Sequence, residues 1–332
     1  MLNSNMNYSN KINVGIIGVG RLGSFHIEQY QALDSVNIIG FFDTNSDQVN
    51  IIKNKYNITA FDDLNDLLKL CDAVSIATPT TTHFKIAQKA IEMNCHALIE
   101  KPITQNIEEA TKLVNMSEEK KLIIQVGHIE RFNPAFYSLK NQSINPLFIE
   151  SHRLAPFNMR GTDVDVILDL MIHDIDITLS LVDSDVTEVR ASGVSVLSNN
   201  IDTANARVAF NNGCVANMTA SRISKKKIRK FRFFEKSSYT TIDFLNPSIE
   251  KYILSNTAPD NEQSYVVMNN IKDKYILYEK FEIEHYNALK KELENFIESI
   301  VNVKKPIIDG YSGLKALKLA IKIQSSIKKQ LF

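Results

Sequence analysis

Cysteine is scarce in this chain. Only three occur in 332 residues, Cys71, Cys95 and Cys214, and they lie far apart in the sequence. Three thiols leave one unpaired in any disulfide scheme, and their spacing fits no pattern of metal ligands. The sequence therefore predicts neither a disulfide scaffold nor a metal site, and it favours a reducing compartment such as the cytoplasm.

The chain also lacks an excess of charge and a long apolar run. Lys plus Arg and Asp plus Glu number 38 each, so no overall field attracts nucleic acid or an anionic membrane. No stretch approaches the roughly 20 apolar residues that span a bilayer, and the polar start has no signal-peptide core. We expect a cytoplasmic protein that binds neither nucleic acid nor membrane, with a flexible arm over residues 1–10.

Residues 11–127 alternate short apolar runs with amphipathic stretches. Parallel sheets wrapped by helices show this rhythm, because both faces of their strands are buried. Since the length of the chain favours two domains, we predict an N-terminal Rossmann domain of the doubly wound α/β class over 11–127. Its predicted strands cover 13–17, 36–42, 73–77, 96–99 and 122–126.

The order of elements changes after Gly127. One helical segment is followed by stretches of alternating polarity, which are typical of antiparallel strands with one solvated face. Two amphipathic helices close the chain. We predict an α+β domain with an open, mainly antiparallel sheet over 128–332. The predicted segments are 164–181, 186–196, 205–210, 214–221, 283–301 and 312–328.

Three glycines, Gly18, Gly20 and Gly23, form the pattern Gly-x-Gly-x-x-Gly between the first predicted strand and a helical stretch. In that context Gly18 permits a tight turn, Gly20 lets the backbone approach a pyrophosphate, and Gly23 allows close helix packing. Free N–H groups at the helix start, around Arg21 and Leu22, face the anion. The pattern predicts a dinucleotide site; the alternative is a glycine-rich turn without a ligand.

Asp43 ends the second predicted strand, twenty residues beyond Gly23. A carboxylate at this position accepts hydrogen bonds from both ribose hydroxyls and repels a 2′-phosphate. No arginine follows Asp43 immediately, so the sequence favours NAD over NADP. The alternative is that Asp43 belongs to the start of the next helix.

Two more strand ends carry candidate residues. Ala77-Thr78-Pro79 ends the third strand at the edge where ligands of open sheets collect, and His83 follows nearby as a cofactor contact or a helix cap. Glu100-Lys101-Pro102 ends the fourth strand at the same edge. A lysine there points into the crevice, although a surface lysine is the simpler interpretation of this tripeptide alone.

Asp169 and His173 stand four residues apart in the apolar segment 164–181. On a helix both side chains project from one face. An acid and a histidine in such a segment cost free energy unless they are paired or used. They are either a satisfied core pair or, given the nucleotide pattern, part of a reacting site.

These motifs together resemble the glucose-fructose oxidoreductase, inositol dehydrogenase and rhizopine catabolism (Gfo/Idh/MocA) family, from about residue 11 to the end of the chain. The resemblance implies a Rossmann domain joined to a mixed α/β domain whose open sheet often mediates oligomerisation, and hence a homodimer or homotetramer. It also implies that Lys101, Asp169 and His173 are catalytic.

A narrower resemblance is to the UDP-N-acetylglucosamine 3-dehydrogenase branch, which makes a 3-keto nucleotide sugar for lipid A. It rests on the stretches 126–134 and 166–176. It implies a nucleotide-sugar substrate, with Arg131 as a candidate contact. His128 opens the second domain close to the crevice and is a further candidate contact. Arg153 and Arg160 are candidate partners for a diphosphate, since guanidinium groups match phosphate oxygens, although solvation at the surface explains either arginine equally well.

In the oxidising direction, His173 would accept the hydroxyl proton while a hydride leaves the same carbon for nicotinamide. Asp169 would orient the imidazole, and Lys101 would stabilise the developing alkoxide. The sequence leaves open whether Lys101 is the base instead. It also leaves open a free polyol or aldose as substrate, and a regulator that binds nucleotide without catalysis.

Overall fold

The computed structural model describes residues 11–158, 164–259, 264–271 and 274–330. The predicted arm over 1–10 and the predicted phosphate ligand Arg160 lie outside these ranges. By contacts the chain forms two compact units, Met1–Ile129 with Asn287–Leu314, and Glu130–Tyr286 with Lys315–Phe332. No helix among the described residues is long and apolar enough to cross a membrane.

A five-stranded parallel sheet forms the centre of the first unit, in the order β2-β1-β3-β4-β5. Its third strand is buried at every position, as expected for strands covered on both faces. The predicted Rossmann fold is confirmed. The strands are β1 (Ile12–Ile17), β2 (Val36–Phe42), β3 (Ala73–Ile76), β4 (His96–Glu100) and β5 (Ile124–Gly127), and the helices are α1 (Arg21–Gln31), α2 (Ser46–Tyr56), α3 (Leu64–Leu68), α4 (Thr80–Glu92) and α5 (Ile107–Glu119).

Helix α8 (Ala288–Val301) packs on the first unit, although the sequence places it in the second domain. Its apolar side chains Leu293 and Phe296 are buried in one cluster with Ile27 and Tyr30 of α1. Such contacts over a large separation in sequence leave no signal in local periodicity. The observed division therefore differs from the predicted boundary by the segment 287–314.

A nine-stranded sheet forms the second unit, in the order β13-β14-β12-β11-β10-β6-β9-β8-β7. All its pairings are antiparallel except β6 with β9. The predicted α+β fold with a mainly antiparallel sheet is confirmed. The strands are β6 (Phe148–Leu154), β7 (Val186–Val194), β8 (Thr203–Phe210), β9 (Val215–Ser221), β10 (Ile228–Phe234), β11 (Ser238–Asp243), β12 (Ser248–Ser255), β13 (Tyr265–Ile271) and β14 (Lys274–Glu279).

The predicted helical segment 164–181 consists of a π-helical turn, Ile167–Met171, followed by α7 (Ile172–Leu181). Asp165 caps its start, because one carboxylate oxygen accepts hydrogen bonds from the N–H groups of Ile167 and Leu168. The remaining helices are a 3₁₀ turn over Ile129–Phe132, the short α6 (Pro134–Tyr137) and the closing α9 (Gly310–Gln330).

Candidate functional site

One predicted residue directly follows each strand of the parallel sheet. The strand ends are neighbours, since Ile17 pairs with Phe42 and Ile76, and Ile76 pairs with Ile99. The carboxyl edge of the sheet therefore collects side chains that are distant in sequence, as in other open α/β sheets. In strand order these residues are Asp43, Gly18, Ala77, Lys101 and His128.

The three glycines differ in the space around them. A Cβ on Gly23 would lie 1.9 Å from the Gly18 carbonyl oxygen, and one on Gly18, at φ +80°, would lie 2.6 Å from the Thr78 methyl group. A Cβ on Gly20 would meet no atom within 4 Å. Gly18 and Gly23 therefore serve the packing of the turn, while Gly20 leaves open space above the loop.

The start of α1 has the properties of an anion site. Gly20 is its N-cap and supplies no side-chain hydrogen bond, and the first turn has no acidic residue. Gly20, Arg21 and Leu22 are exposed. Unsatisfied N–H groups and the positive end of the helix dipole favour a phosphate at such a position.

Asp43 braces the glycine loop. Its Oδ2 accepts a hydrogen bond of 2.7 Å from the Val19 N–H, and its Oδ1 accepts one of 2.9 Å from the Asn45 N–H. Gln48 donates from Nε2 to the Val19 carbonyl at 2.7 Å, which the sequence did not reveal. The cap of α2 is Asn45, so Asp43 is not the helix cap. An ionised carboxylate accepts about four hydrogen bonds, so two sites remain for ribose hydroxyls.

The dinucleotide predicted from sequence fits these residues. Gly20 provides a place where no side chain blocks the approach of a pyrophosphate, and Asp43 provides an acceptor for the ribose. The residues after Asp43 are Thr44, Asn45 and Ser46, none of which is a cation for a 2′-phosphate. The donor set therefore favours NAD.

His83 is buried, with 1% of its surface exposed, and both ring nitrogens contact backbone. Nδ1 lies 2.9 Å from the Pro102 carbonyl oxygen and Nε2 lies 2.9 Å from that of Thr78. The prediction of His83 as a cofactor contact is therefore corrected: it links the loops that follow β3 and β4. Thr78 and Pro79 are half-buried and exposed, and their predicted contact with NAD stays a prediction.

Lys101 follows β4 and is half-buried, and its peptide bond to Pro102 is cis. Glu100, at the end of the strand, is buried, and its Oε2 accepts a hydrogen bond of 3.3 Å from the Lys101 N–H. Glu100 thus supports the backbone at Lys101. His128 follows β5 and is also buried. The catalytic role of Lys101 and the substrate contact of His128 stay predictions.

Asp169 and His173 lie on the second unit, in the π-turn and on α7. Of residues 166–178, all of which the structure describes, only Asp169, Leu170 and His173 are half-exposed; the others are buried. The acid and the imidazole are thus the polar groups with access to solvent on this segment. A π-turn inside a helix is rare and is frequent at functional sites.

Two further carboxylates of α7 are held by the arginines that the sequence assigned to substrate. Arg153 is buried and lies 2.8 Å from Asp174 and 2.6 Å from Glu130, and Arg131 lies 2.7 Å from Asp176. The prediction of Arg153 as a diphosphate ligand is corrected, since its guanidinium is enclosed by protein carboxylates. Arg131 is also paired, and it remains partly exposed.

Burial shifts the pKa values of the charged groups in this cluster. Burial raises the pKa of Asp174 despite the charge and hydrogen bond of Arg153. Burial lowers the pKa of Arg153, but the charges of Asp174 and Glu130 outweigh burial. The pKa of Arg153 is therefore raised, and the guanidinium stays charged. Sequence reasoning missed Glu130, which sits in an unremarkable turn.

Comparisons with known proteins identify the family of this chain. The model for the oxidoreductase family with an NAD-binding Rossmann fold matches residues 12–128, and the model for the GFO/IDH/MocA C-terminal domain matches residues 150–235. The chain is 36% identical over 316 residues to UDP-N-acetylglucosamine 3-dehydrogenase of Acidithiobacillus ferrooxidans, covering 95% of this chain and 96% of that protein.

Solved structures give the same picture. The Acidithiobacillus ferrooxidans enzyme is similar with a TM-score of 0.87 at 35% identity, covering 97% of this chain and 99% of that chain. Scyllo-inositol dehydrogenase of Lactobacillus casei, solved with NAD(H) and scyllo-inositol, has a TM-score of 0.74 at 20% identity, covering 97% and 98%, and shows the fold alone. With its glycine loop, its strand-end residues and these full-length similarities, the chain belongs to the Gfo/Idh/MocA family of NAD-binding oxidoreductases.

Proposed function

We propose that this oxidoreductase oxidises the 3-hydroxyl of UDP-N-acetylglucosamine to a ketone, with NAD as the hydride acceptor. The observation that carries the proposal is the 36% identity, over 95% of the chain, to an enzyme named for this reaction. The glycine loop and Asp43 support the choice of cofactor. We further propose that the keto sugar supplies lipid A synthesis in the cytoplasm.

The reacting residues in this proposal are Lys101, Asp169 and His173. When bound, NAD supplies the carbon that receives the hydride. His173 accepts the hydroxyl proton on its imidazole, a group suited to proton transfer near neutral pH. Asp169 orients the imidazole, and Lys101 holds the hydroxyl oxygen and stabilises its developing negative charge. The half-exposed positions of Asp169 and His173 on a buried segment support this assignment.

We also propose that two or four copies associate through the nine-stranded sheet. Phe148, Phe234, Tyr239, Tyr252 and Tyr278 form a row of neighbouring aromatic rings across adjacent strands, with centroids 5.2–5.7 Å apart. All five rings are half-buried in a single copy of the chain. Aromatic rings arranged in this way are enriched in interfaces between protein subunits.

Purified protein tests the reaction directly. We expect NADH absorbance to rise when NAD and UDP-N-acetylglucosamine are mixed with the enzyme and with an aminotransferase that removes the keto product. Lys101→Met and His173→Ala each lower kcat by at least about 100-fold, because each removes a group that stabilises or deprotonates the reacting hydroxyl. The control is NADH binding, which both variants retain.

Two outcomes would replace the proposal. Turnover of myo-inositol or a simple aldose, without turnover of the nucleotide sugar, would assign the chain to the polyol dehydrogenases, to one of which it is 23% identical. Tight NADH binding without any turnover would indicate a regulator. Near wild-type activity in both variants would reject Lys101 and His173 as the reacting residues.

A further inference from the structure

A polar chain lies in the core of the first unit, directly behind the end of β4. His26 of α1 and Ser75 of β3 are fully buried, and Glu100 is 8% exposed. His26 Nδ1 lies 2.7 Å from Ser75 Oγ, and His26 Nε2 lies 3.1 Å from Glu100 Oε1. Neither the glycine loop nor the proposed reacting groups account for this chain of three polar residues.

The two hydrogen bonds orient the imidazole of His26. A carboxylate only accepts, so Nε2 carries a hydrogen and donates it to Glu100. Nδ1 makes the second hydrogen bond, with the Ser75 hydroxyl. His26 thus connects Ser75 to Glu100. Each member comes from a different element of the nucleotide-binding edge.

Glu100 is an ionised group in an apolar setting. Burial alone raises its pKa, but the hydrogen bond of His26 and the charges of His26 and Lys101 outweigh burial, and the pKa is lowered. Replacing a whole buried ion pair with apolar side chains of similar volume is often neutral or stabilising. The stability of the fold alone therefore does not require a carboxylate at this position.

The Glu100 carboxylate also packs closely against the next strand, β5. Its second oxygen accepts the Lys101 N–H at 3.3 Å, and a Cβ on Gly127 of β5 would lie 2.8 Å from that oxygen. Because both of its oxygens make contacts, the Glu100 side chain is held in one position. The peptide that leads into Lys101 is thereby held by the core of the domain.

We propose that Glu100, oriented by His26 and Ser75, is a positioning residue that fixes the strand end bearing Lys101 and keeps a negative charge beside the Lys101 backbone. This inference rests on the proposed function, because it assigns Glu100 a role through Lys101. It adds His26 and Ser75 to the machinery of the reaction and gives Glu100, already a predicted site residue, a role that does not require contact with the substrate.

Glu100→Gln tests the proposal, since it keeps the shape of the side chain and removes its charge. We expect kcat to fall roughly 10- to 100-fold, the effect of a small misplacement of a reacting group, while the Kd for NADH is unchanged. The pH dependence of kcat also changes, because the substitution removes a negative charge that lies 3.3 Å from the Lys101 N–H. Glu100→Asp, which retains the charge, restores the wild-type pH dependence.

Ser75→Ala gives a milder second test if Glu100→Gln does not fold: it removes one of the two hydrogen bonds that orient His26, and kcat falls less. His96→Gln is the matched control, because His96 lies at the opposite end of β4 and accepts a hydrogen bond from the Ile123 N–H at 2.9 Å. We expect it to leave kcat and the pH dependence unchanged.

Lys101→Met, measured in parallel, separates the two ideas. If it is inactive while Glu100→Gln or Ser75→Ala has the wild-type kcat and pH dependence, the positioning role is overturned and the proposed function stands. If Lys101→Met is as active as wild type, the assignment of Lys101 fails, and the positioning role is overturned with it.

Discussion

The glycine loop of the first unit and the helix that carries His173 in the second unit hold their functional groups by different means. The loop can form only if two side chains are absent. A Cβ added to Gly18 or Gly23 would lie within 3 Å of neighbouring backbone atoms. The helix depends on charge, because Asp174 and Asp176 on either side of Ile175 are each bound by an arginine.

This difference predicts opposite sensitivities. A loop shaped by missing atoms is damaged by the addition of one methyl group, whereas a buried ion cluster is damaged by the removal of one charge. By contrast, we expect little effect on stability from the loss of a charge on the exposed surface or from a methyl group added in open space. Substitutions in the two regions therefore test whether space and charge are the controlling factors.

Arg153→Met gives the largest expected loss of stability. It leaves Glu130 and Asp174 buried without their counter-ion, and breaking a buried ion pair costs about 3–5 kcal/mol. Chemical denaturation of the two proteins measures this difference. A variant as stable as wild type would show that the cluster does not hold α7 in place.

Gly23→Ala comes next, because its Cβ would overlap the Gly18 carbonyl. We expect a loss of about 1–3 kcal/mol, as for other overpacked sites, together with loss of NADH binding. Gly20→Ala is the control: it meets no protein atom, so stability is retained while NADH binds more weakly. Equal stabilities of the two variants would contradict the packing role of Gly23.

Asp202→Asn removes a buried charge. We expect an intermediate effect on the free energy of unfolding, and one that depends on pH. Burial opposes ionisation of Asp202, but hydrogen bonds from the Ser198 hydroxyl and from backbone N–H groups outweigh it and lower the pKa. A lowered pKa stabilises the fold above the ordinary value of 3.8, and this contribution is lost as pH falls below it. Asp202 also accepts from Arg222 Nε at 2.9 Å, and the amide oxygen of an asparagine can accept the same hydrogen bond. We therefore expect a smaller effect than for Arg153→Met, with wild type more stable by about 1.5 kcal/mol at neutral pH.

The difference between wild type and Asp202→Asn should shrink as the pH falls below 3.8, the ordinary pKa of the carboxyl group. Unfolding curves recorded from neutral to acidic pH measure it. A difference that is constant with pH would mean that the shape of the side chain matters and its charge does not.

Arg190→Met repeats the arginine substitution on the surface and has the smallest expected effect. Arg190 lies 2.7 Å from Glu188, but the two side chains are 73% and 53% exposed. Exposed ion pairs contribute little, so we expect a change below about 0.5 kcal/mol. A loss comparable to that of Arg153→Met would show that burial is not what makes the cluster of α7 strong.

The nucleotide edge was predictable from sequence because its determinants are local. Gly18, Gly20 and Gly23 lie within six positions, and Asp43 and Lys101 each directly follow a strand whose apolar residues mark it. Asp165 also carried a usable signal, since an aspartate before an apolar helical run is a frequent N-cap. Each of these features can be identified from the residues close to it in the sequence.

The partners of α7 were not predictable in the same way. Glu130, Arg153 and Asp174 come from a turn, a strand and a helix, and only the fold brings their charges together. A guanidinium that matches a phosphate also matches a carboxylate, so Arg153 alone cannot distinguish them. The placement of α8 on the first unit was missed for the same reason, because an amphipathic pattern shows a buried face without naming what covers it.

The most direct test of the proposed reaction follows the hydrogen that leaves the sugar. UDP-N-acetylglucosamine deuterated at C3 is incubated with the enzyme, NAD and the coupled aminotransferase, and the reduced cofactor is analysed by mass spectrometry. If the 3-hydroxyl is oxidised, the C3 hydrogen leaves as hydride, and we predict reduced cofactor that carries the deuterium. Reduced cofactor without deuterium, or none at all, would contradict oxidation at C3.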